Sequence, residues 1–243
     1  MNVLWLDATD VRAVLTMEDA ILAVEEAFKE HGEGTVQMPP KIYLDFEKGD
    51  LRAMPGYLKD QDIAGVKIVN SHPENPNQGL PAVMAILVLN DPDTGAPVAV
   101  MDATYITDVR TGAAGGVAAK YLSRSDSKII GLVGAGRQAK TQLLAISRVR
   151  KLELVKVTSK SNKASEDFKK KMAGKMECEI TVVDAREACD CDILATTTPV
   201  ISPIIRDEWI REGTHINAIG ADASGKEELD PKILTRSKIV VDD

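Results

Sequence analysis

The sequence predicts an α/β fold in two parts: an N-terminal α+β part over residues 1–124 and a doubly wound parallel sheet over residues 125–243. Two observations predict it. Between residues 41 and 101, strand-like segments follow one another with only turns between them, as in an antiparallel or mixed sheet. After Ser127, apolar strands alternate with helical segments, which is typical of a parallel sheet covered by helices. The polar residues 123–127 are the expected boundary.

The first part begins with an amphipathic helix predicted over residues 16–31. Thr16 is placed to cap it with Asp19 three positions on, and Gly32 and Gly34 are expected to end it. Strands are then predicted at residues 42–46, 51–54, 63–70, 83–89 and 98–101. Turns are expected at Lys48–Asp50, Pro55–Gly56 and Asp91–Gly95.

A second helix is predicted over residues 107–122, and its content is unusual because it holds Gly112, Gly115 and Gly116. Each glycine inside a helix costs roughly 1 kcal/mol relative to alanine. The glycines therefore indicate close approach, either of another backbone in tight packing or of a ligand. The sequence leaves both readings open.

The second part alternates strand and helix throughout, which indicates a sheet of the Rossmann type. The predicted strands are residues 128–133, 153–158, 178–183, 192–196, 214–219 and 238–242. The predicted helices are residues 137–149, 162–173, 185–190, 206–211 and 227–235.

Composition excludes several classes of protein. The 243 residues are 44% hydrophobic and 28% charged, as in soluble globular proteins. A net charge of −7, without a basic patch, argues against binding to nucleic acid or to an anionic membrane. The apolar run Ala82–Leu89 is too short to span a bilayer, and residues 1–30 do not have the pattern of a secretion signal. Three cysteines without metal-ligand spacing suggest a reducing compartment, so we expect a cytoplasmic protein.

The strand at 128–133 runs directly into a glycine motif, Gly134-Ala-Gly136-Arg-Gln-Ala139, at the start of a helix. Gly134 permits the tight turn, Gly136 lets the backbone approach a pyrophosphate, and Ala139 lets helix and strand pack closely. The phosphates then face the positive end of the helix dipole. In this strand-to-helix position the motif predicts a dinucleotide site, in which Arg137 and Gln138 are also expected to contact the cofactor.

The end of the second strand bears on the choice of dinucleotide. An Asp or Glu roughly 20 residues beyond such a motif usually binds the ribose 2′-hydroxyl of NAD. Here that position carries Ser159-Lys160-Ser161, with no carboxylate. A hydroxyl and an ammonium suit a 2′-phosphate, so the expected cofactor is NAD(P)(H), with NADP(H) favoured. The alternative, a solvated turn beside NAD(H), stays open.

Several segments together identify a resemblance that no single motif carries. In chain order they are Met38–Lys41, Gly49–Pro55, Gly65–Pro73, Asp102–Thr104, Arg110–Ala114 and Ile219–Asp222. Over essentially its whole length the chain resembles the ornithine cyclodeaminase/μ-crystallin family, and within it the archaeal alanine dehydrogenases. The resemblance implies a homodimer whose first domain binds substrate and makes the subunit contact, followed by a Rossmann domain.

The resemblance also implies roles for basic residues of the first part. Lys41 and Arg52 would hold the substrate carboxylate, and Arg110 would lie near the substrate. If Arg52 points inward from its strand it needs an anion, which a bidentate carboxylate supplies; the alternative is an exposed arginine on the sheet. Arg110 is expected in the first turn of its helix, where a cation opposes the helix dipole unless an anion lies nearby.

Two residues would flank the reacting carbon. Lys67 lies in an apolar strand, and a desolvated lysine has a lowered pKa that suits proton exchange with an imine or polarisation of a carbonyl. Asp222 follows a strand of the parallel sheet, at the edge where ligands gather, and a carboxylate there can carry protons to the amine nitrogen. The alternative for Asp222 is a turn or helix-capping role.

Three further residues, Thr111, Thr197 and Thr198, would contact the cofactor. No metal site is predicted, because His72 and His215 have no third ligand near them in the sequence. Ala82 departs from the family, whose members often carry threonine at that position. The chain also stops at Asp243, where family members continue, so the Rossmann domain is expected to be incomplete.

The family's chemistry is hydride exchange between a nicotinamide and the α-carbon of an amino acid, through an imine. The expected reaction converts L-alanine and water to pyruvate and ammonia. Three alternatives stay open: ornithine cyclodeamination, which needs an acid-lined pocket for the second amine; reduction of a ketimine; and non-catalytic binding of NADP, as in μ-crystallin-like proteins.

Overall fold

The computed structural model describes residues 2–242 and divides the chain into two compact units, Met1–Arg110 and Thr111–Asp243. The division falls within one helix, α3 (Thr104–Leu122), and the boundary expected at residues 123–127 directly follows the end of that helix.

The first unit contains a mixed sheet and helices. Its strands are β1 (Leu4–Leu6), β2 (Val36–Gln37), β3 (Ile42–Phe46), β4 (Gly49–Leu58), β5 (Ile63–Ser71), β6 (Val83–Asn90) and β7 (Pro97–Asp102). Its helices are α1 (Ala8–Val14), α2 (Met17–Glu33) and a single 3-10 turn at Asn75–Gln78. The sheet runs in the order β1-β7-β6-β5-β4-β2, with β3 also paired to β4. Only β1 and β7 are parallel, so the predicted antiparallel or mixed sheet is confirmed as mixed.

The N-terminal helix begins as the sequence predicts and ends at Gly34, whereas Gly32, which was also expected to end it, lies inside α2. The Thr16 hydroxyl accepts a hydrogen bond from the backbone N–H of Asp19, whose carboxylate accepts one from the Thr16 N–H, which completes a capping box. Gly34 ends α2 in the left-handed conformation, with φ of 78°. The preceding helix α1 was not predicted, although Asp7 and Asp10 form a second capping box at its start.

The turn predicted at Pro55–Gly56 is wrong, because both residues lie inside strand β4. Pro55 pairs with Val66 of β5 on one side. On its other side β4 pairs with β3 only up to Ala53 and with β2 only from Tyr57. Proline is tolerated in this gap, where the sheet needs no backbone N–H from it.

Helix α3 begins three residues earlier than predicted, and this changes the position of Arg110. The Asp102 carboxylate accepts hydrogen bonds from both the backbone N–H and the hydroxyl of Thr104, so the helix starts there. Arg110 therefore lies in the second turn of α3, and the expectation that it opposes the dipole in the first turn is wrong.

The second unit is a parallel sheet with helices between its strands. The strands are β8 (Ile129–Val133), β9 (Leu154–Thr158), β10 (Glu179–Val182), β11 (Ile193–Thr196) and β12 (His215–Ala218). The helices are α4 (Arg137–Val149), α5 (Asn162–Ala173), α6 (Ala185–Cys189) and α7 (Pro231–Thr235), with a 3-10 turn at Asp207–Trp209. The order β10-β9-β8-β11-β12 is the doubly wound arrangement predicted. Its core is apolar, with Leu132, Leu143, Val157 and Phe168 among its buried residues.

Three predicted elements of this unit differ in the structure. Residues 206–211 form only the 3-10 turn, and residues 238–242 form no strand. The helix predicted over 227–235 is shortened to α7, because Leu229 forms a parallel bridge with Ile205 and the Asp230 carboxylate caps the helix at the Lys232 N–H.

The glycines of α3 that lie in this unit are explained by helix packing. A Cβ atom on Gly112 would stand 2.6 Å from the Thr141 carbonyl oxygen, and one on Gly116 would stand 2.9 Å from the Ala145 Cβ. A Cβ on Gly115 would collide with the amide of Gln142, a buried side chain that donates to the Thr111 carbonyl at 2.9 Å. The element that approaches these three glycines is helix α4, so tight helix packing, and not ligand contact, explains them.

Candidate active site

Lys67 occupies the middle of the first unit's sheet, on one defined face. It pairs with Met54 of β4 and Leu87 of β6, while Arg52 pairs with Val69 two positions along β5. Because side chains alternate along a strand, Arg52 and Lys67 point to the same face as diagonal neighbours. We call this the Lys67 face. Apolar residues of this face pack with Ala103 and Ile106 at the start of α3.

The pKa of Lys67 is lowered from its usual value to about 7. Burial is the largest cause, since it penalises the charged ammonium, and the positive charges of Arg110, Lys41 and Arg52 add to it. Four basic side chains of the first unit thus lie close enough to interact, although they belong to three strands or strand ends and to a helix. Such a concentration of positive charge favours a bound anion.

Arg52 is held by an acidic neighbour on its own strand. Its Nε and Nη2 donate to the two carboxylate oxygens of Asp50 at 2.9 and 2.8 Å, a bidentate pair. Its guanidinium also lies 5.6 Å from the ring centroid of Tyr43, the residue opposite it on β3. The guanidinium of Arg52 therefore lies on the Lys67 face with its plane fixed, and the sequence analysis did not predict Asp50 as its partner.

An open depression adjoins this pair in the first unit, with a volume of about 460 Å³. Half of its lining residues are acidic, namely Asp45, Glu47, Asp50 and Glu74, and Lys48 is the single cation among them. The carboxylates give it the charge that would suit a cationic group.

In the second unit, the glycine motif lies where strand order reverses. The chain proceeds from β8 to β9 and β10 on one side and then returns to β11 on the other. Gly134 follows β8 with φ of 114°, a conformation that favours glycine, and a Cβ there would collide with the Thr197 hydroxyl. Gly136 is the N-cap of α4, and a Cβ on it would meet no atom within 4 Å. Ala139 is buried against the core.

Among the other residues predicted to contact the cofactor, Arg137 and Gln138 open α4 and Thr111 lies in α3. Ser159–Ser161 follow β9, and Thr197 and Thr198 follow β11, the two strands that flank β8. Thr197 follows β11, and its N–H donates to the Val133 carbonyl at 2.9 Å, while the Gly134 N–H donates to the Thr158 carbonyl at 2.9 Å. The structure therefore brings the turns after β8, β9 and β11 to one edge.

The loop after β9 uses its serine hydroxyls internally. The Ser159 hydroxyl donates to the Ser161 carbonyl at 2.8 Å and lies 2.9 Å from the Ser165 hydroxyl. Ser161 caps helix α5 at the Ala164 N–H. Lys160 is exposed between them.

Asp222 follows β12 at the same edge of the sheet and is exposed. Its carboxylate pairs with the Lys226 ammonium at 2.5 Å, four residues further along the chain. Lys41, Arg52, Lys67 and Arg110 belong to the first unit, and the cofactor-side residues and Asp222 belong to the second.

A buried carboxylate at this edge was missed by sequence reasoning. Glu228 is only 1% exposed and accepts four hydrogen bonds, from Thr196, Thr198 and Gly220. The sequence predicts Glu228 within the helix 227–235, and its charged neighbours do not indicate that its side chain is buried.

Within the described residues, 2–242, no helix combines the length and the apolar character needed to cross a bilayer. Among the same residues, no three His, Cys, Asp or Glu side chains are grouped as ligands for a metal ion.

A doubly wound parallel sheet with a glycine turn at its switch point is the architecture of dinucleotide-binding proteins. The chain belongs to the ornithine cyclodeaminase/mu-crystallin family, which it matches over residues 2–243. It is 53% identical to an alanine dehydrogenase of Archaeoglobus fulgidus, over 100% of this chain and 74% of that protein.

Solved structures of relatives also resemble the chain over nearly its whole length. An archaeal alanine dehydrogenase dimer with bound NAD superposes with a TM-score of 0.97 and 53% identity, over 100% of this chain and 75% of that one. The Δ1-pyrroline-2-carboxylate reductase of Thermococcus litoralis, in complex with NADH and L-proline, superposes with a TM-score of 0.93 and 44% identity, over 97% and 74%.

Proposed function

We propose that the chain is a nicotinamide-dependent amino-acid dehydrogenase that acts on L-alanine. The observation that carries the proposal is the desolvated Lys67 ammonium beside Lys41, Arg52 and Arg110. This arrangement is costly for the fold unless an anion binds there, and the carboxylate of an amino acid is such an anion. The similarity to an alanine dehydrogenase supports alanine as the substrate.

The reaction converts L-alanine, oxidised cofactor and water to pyruvate, ammonium, reduced cofactor and one proton. Lys41 and Arg52 bind the carboxylate and orient the α-carbon, with Arg110 near the substrate. The bound nicotinamide supplies the chemistry of hydride transfer. Lys67 has a pKa near 7, so that it can take a proton from the water that attacks the imine and pass one to the leaving amine nitrogen. Asp222 takes the proton that the substrate's ammonium group must lose.

The residues present fit a dinucleotide. Gly134 has the positive φ that the tight turn needs, and the space beside Gly136 is open to an approaching pyrophosphate. Since Gly136 has no side chain that could cap α4, phosphate oxygens can serve as acceptors for the helix's first N–H groups. Arg137, Gln138, Thr111, Thr197 and Thr198 complete the proposed contacts.

The loop after β9 bears on the form of the cofactor, NAD(P)(H). No carboxylate in Ser159–Lys163 would repel a 2′-phosphate, and the Lys160 ammonium would attract it, which supports NADP(H). Ser159 contributes less than its position suggests, because its hydroxyl hydrogen is used within the turn. The two solved relatives hold NAD and NADH, which supports NAD(H). Titration with both reduced forms decides between them.

Ornithine cyclodeamination is the second candidate, and one observation favours it. The acid-lined depression beside Asp50 and Arg52 offers carboxylates to the second ammonium group of a diamino acid. In that reaction hydride is taken from the α-carbon and returned to the ring, so no net reduced cofactor accumulates.

The assembly we propose is a homodimer formed through the first unit. On the sheet face opposite Lys67, Ile42, Ala53, Ile68 and Ile86 pair in one row across four strands. Ile42 is 61% exposed and Ile86 is 43% exposed. A flat apolar row of this kind indicates a subunit interface, and a second copy of the chain offers a matching row. Light scattering of the wild-type chain should give the mass of a dimer. The Ile86→Glu variant should be a monomer, and the control Leu22→Glu, at an exposed leucine of α2, should remain a dimer.

The experiment that tests the function is an absorbance assay at the reduced-nicotinamide band. L-alanine with oxidised cofactor should produce reduced cofactor, and pyruvate with ammonium should consume it. Ornithine that yields proline without net reduction would favour the cyclodeaminase. Binding of the cofactor without turnover of either amino acid would overturn both and leave a binding protein.

A further inference from the structure

Glu228 is a fully buried carboxylate with four hydrogen-bond donors around it. Its Oε1 accepts from the backbone N–H of Thr198 at 2.6 Å and from the Thr198 hydroxyl at 2.7 Å. Its Oε2 accepts from the backbone N–H of Gly220 at 2.8 Å and from the Thr196 hydroxyl at 2.7 Å. Each oxygen therefore receives one backbone N–H, which is fixed, and one hydroxyl, which can rotate.

This pattern requires a carboxylate. A carboxylate has acceptors on both oxygens and no proton to place, whereas an amide accepts on one side and donates on the other. Whichever way a glutamine side chain were turned at this position, its NH2 group would face a backbone N–H. One of the two segments would then lose its anchor.

The two segments that Glu228 joins are those that follow β11 and β12. The first carries Thr197 and Thr198, and the second leads from Gly220 to Asp222. Glycine is required at position 220, because a Cβ there would collide with the Thr198 carbonyl oxygen and lie 2.7 Å from the Glu228 carboxylate carbon. The backbone carbonyl of Glu228 is also anchored, since it accepts from the N–H groups of Ile204 and Ile205.

The segment around Glu228 also contacts Asp222 directly, through a side chain. Lys226, two residues before Glu228, makes the ion pair with the Asp222 carboxylate. The position of Asp222 is thus fixed at its backbone side through Gly220 and at its side chain through Lys226, and both depend on where residues 226–228 are held.

We propose that Glu228 is a positioning residue that sets the geometry of Asp222 and of the Thr197–Thr198 turn for proton transfer and cofactor binding. The proposal rests on the proposed dehydrogenase function. It assigns to Glu228 no contact with substrate or cofactor. Its effect is to hold the ends of two strands at the distance that the reaction needs.

The test compares Glu228→Gln with Asp192→Asn in the full chain. Asp192 is a matched control, because its carboxylate also accepts from two backbone N–H groups, those of Lys128 and Ile129, at the opposite end of β11. Both variants should lower the melting temperature. Turnover of L-alanine, dissociation constants for the reduced cofactor, and hydrogen exchange of peptides containing Thr198 and Asp222 are then measured well below melting.

Glu228→Gln should lower kcat at least tenfold, raise the cofactor dissociation constant at least threefold, leave the KM for L-alanine within threefold, and speed exchange in both peptides. Asp192→Asn should leave all four close to wild type. The proposal is overturned if Glu228→Gln keeps kcat and exchange rates within twofold, since its role would then be structural only.

If Glu228→Gln does not fold, Thr196→Val decides, because it removes one donor from Oε2 and nothing else that bonds to Glu228. It should lower kcat two- to fivefold, and an unchanged kcat would overturn the proposal. A wild-type chain without turnover would instead contradict the proposed function, and the exchange rates would still test the anchoring of the two segments.

Discussion

Asp50 and Arg52 form a bidentate ion pair on the Lys67 face, with both guanidinium–carboxylate distances below 3 Å. The two residues stand two positions apart on β4, so that they share a face of the sheet. The pair fixes the plane of the guanidinium. Arginine has five N–H donors, and a single carboxylate cannot accept hydrogen bonds from all five. The ion pair with Asp50 is therefore compatible with binding of a substrate carboxylate.

The first prediction concerns Arg52→Lys. Lysine keeps the charge but cannot form a bidentate pair, so the KM for L-alanine should rise about 10- to 100-fold, as expected for loss of one or more charged hydrogen bonds. Initial rates at saturating cofactor measure it. Arg206→Lys, at an exposed arginine of the second unit, serves as the control and should leave the KM unchanged. Equal effects from both variants would contradict the role of Arg52.

The second prediction concerns pH. Because the pKa of Lys67 is lowered to about 7, its neutral form predominates only above that pH. The kcat/KM for oxidation of L-alanine should therefore fall as pH drops through about 7. Arg110→Gln removes one of the positive charges that lower the pKa of Lys67, so the inflection should move to higher pH. An inflection that stays in place would show that Lys67 is not the titrating group.

The third prediction concerns stability. The pKa of Lys67 is lower in the folded protein than in the unfolded chain, so a protonated Lys67 destabilises the folded state. This cost in folding free energy declines as pH rises from about 7 towards 10. Lys67→Met should therefore raise the free energy of unfolding at pH 6 by on the order of 1 kcal/mol. Denaturant unfolding at pH 6 and pH 9 should give the larger gain at pH 6. Destabilisation by Lys67→Met at pH 6 would be the contrary result.

The fourth prediction separates folding from cofactor binding at the glycine turn. Alanine at position 136 meets no protein atom, so Gly136→Ala should keep the melting temperature of the wild type. Its methyl group occupies the space proposed for the pyrophosphate, so the dissociation constant of the reduced cofactor should rise at least about tenfold, equivalent to roughly 1.4 kcal/mol. Fluorescence titration measures it. Gly174→Ala, also in open space but after α5, should change neither quantity.

Local signals in the sequence predicted much of the fold. The capping box of Thr16 and Asp19 involves residues three positions apart, and the turn at Gly134 follows directly from its strand. The turn predicted at Pro55 is wrong because a strand tolerates proline or not depending on which strands pair beside it, and those strands lie elsewhere in the chain. Residues 239–241 are apolar and β-branched, as is typical of a strand, but a strand needs a partner, and none of the described strands pairs with residues 238–242.

The features of the candidate site likewise differ in whether local sequence patterns predict them. The glycine motif and the apolar strand around Lys67 could be read locally. The hydrogen bonds of Glu228 reach Thr196 and Thr198, 32 and 30 residues away in the sequence, so no local pattern reports them. Asp50 lies only two residues from Arg52, but it was expected in the turn before the strand. Because β4 begins at Gly49, both side chains lie on one face of the strand.

The most direct test of the proposed dehydrogenase follows deuterium from the α-carbon of L-alanine. The labelled substrate is incubated with oxidised cofactor and the full chain, and the cofactor is examined by mass spectrometry and NMR. The account predicts that deuterium appears in the nicotinamide ring of the reduced cofactor, in proportion to the pyruvate formed. Pyruvate formed without deuterium in the cofactor, or no pyruvate at all, would contradict it.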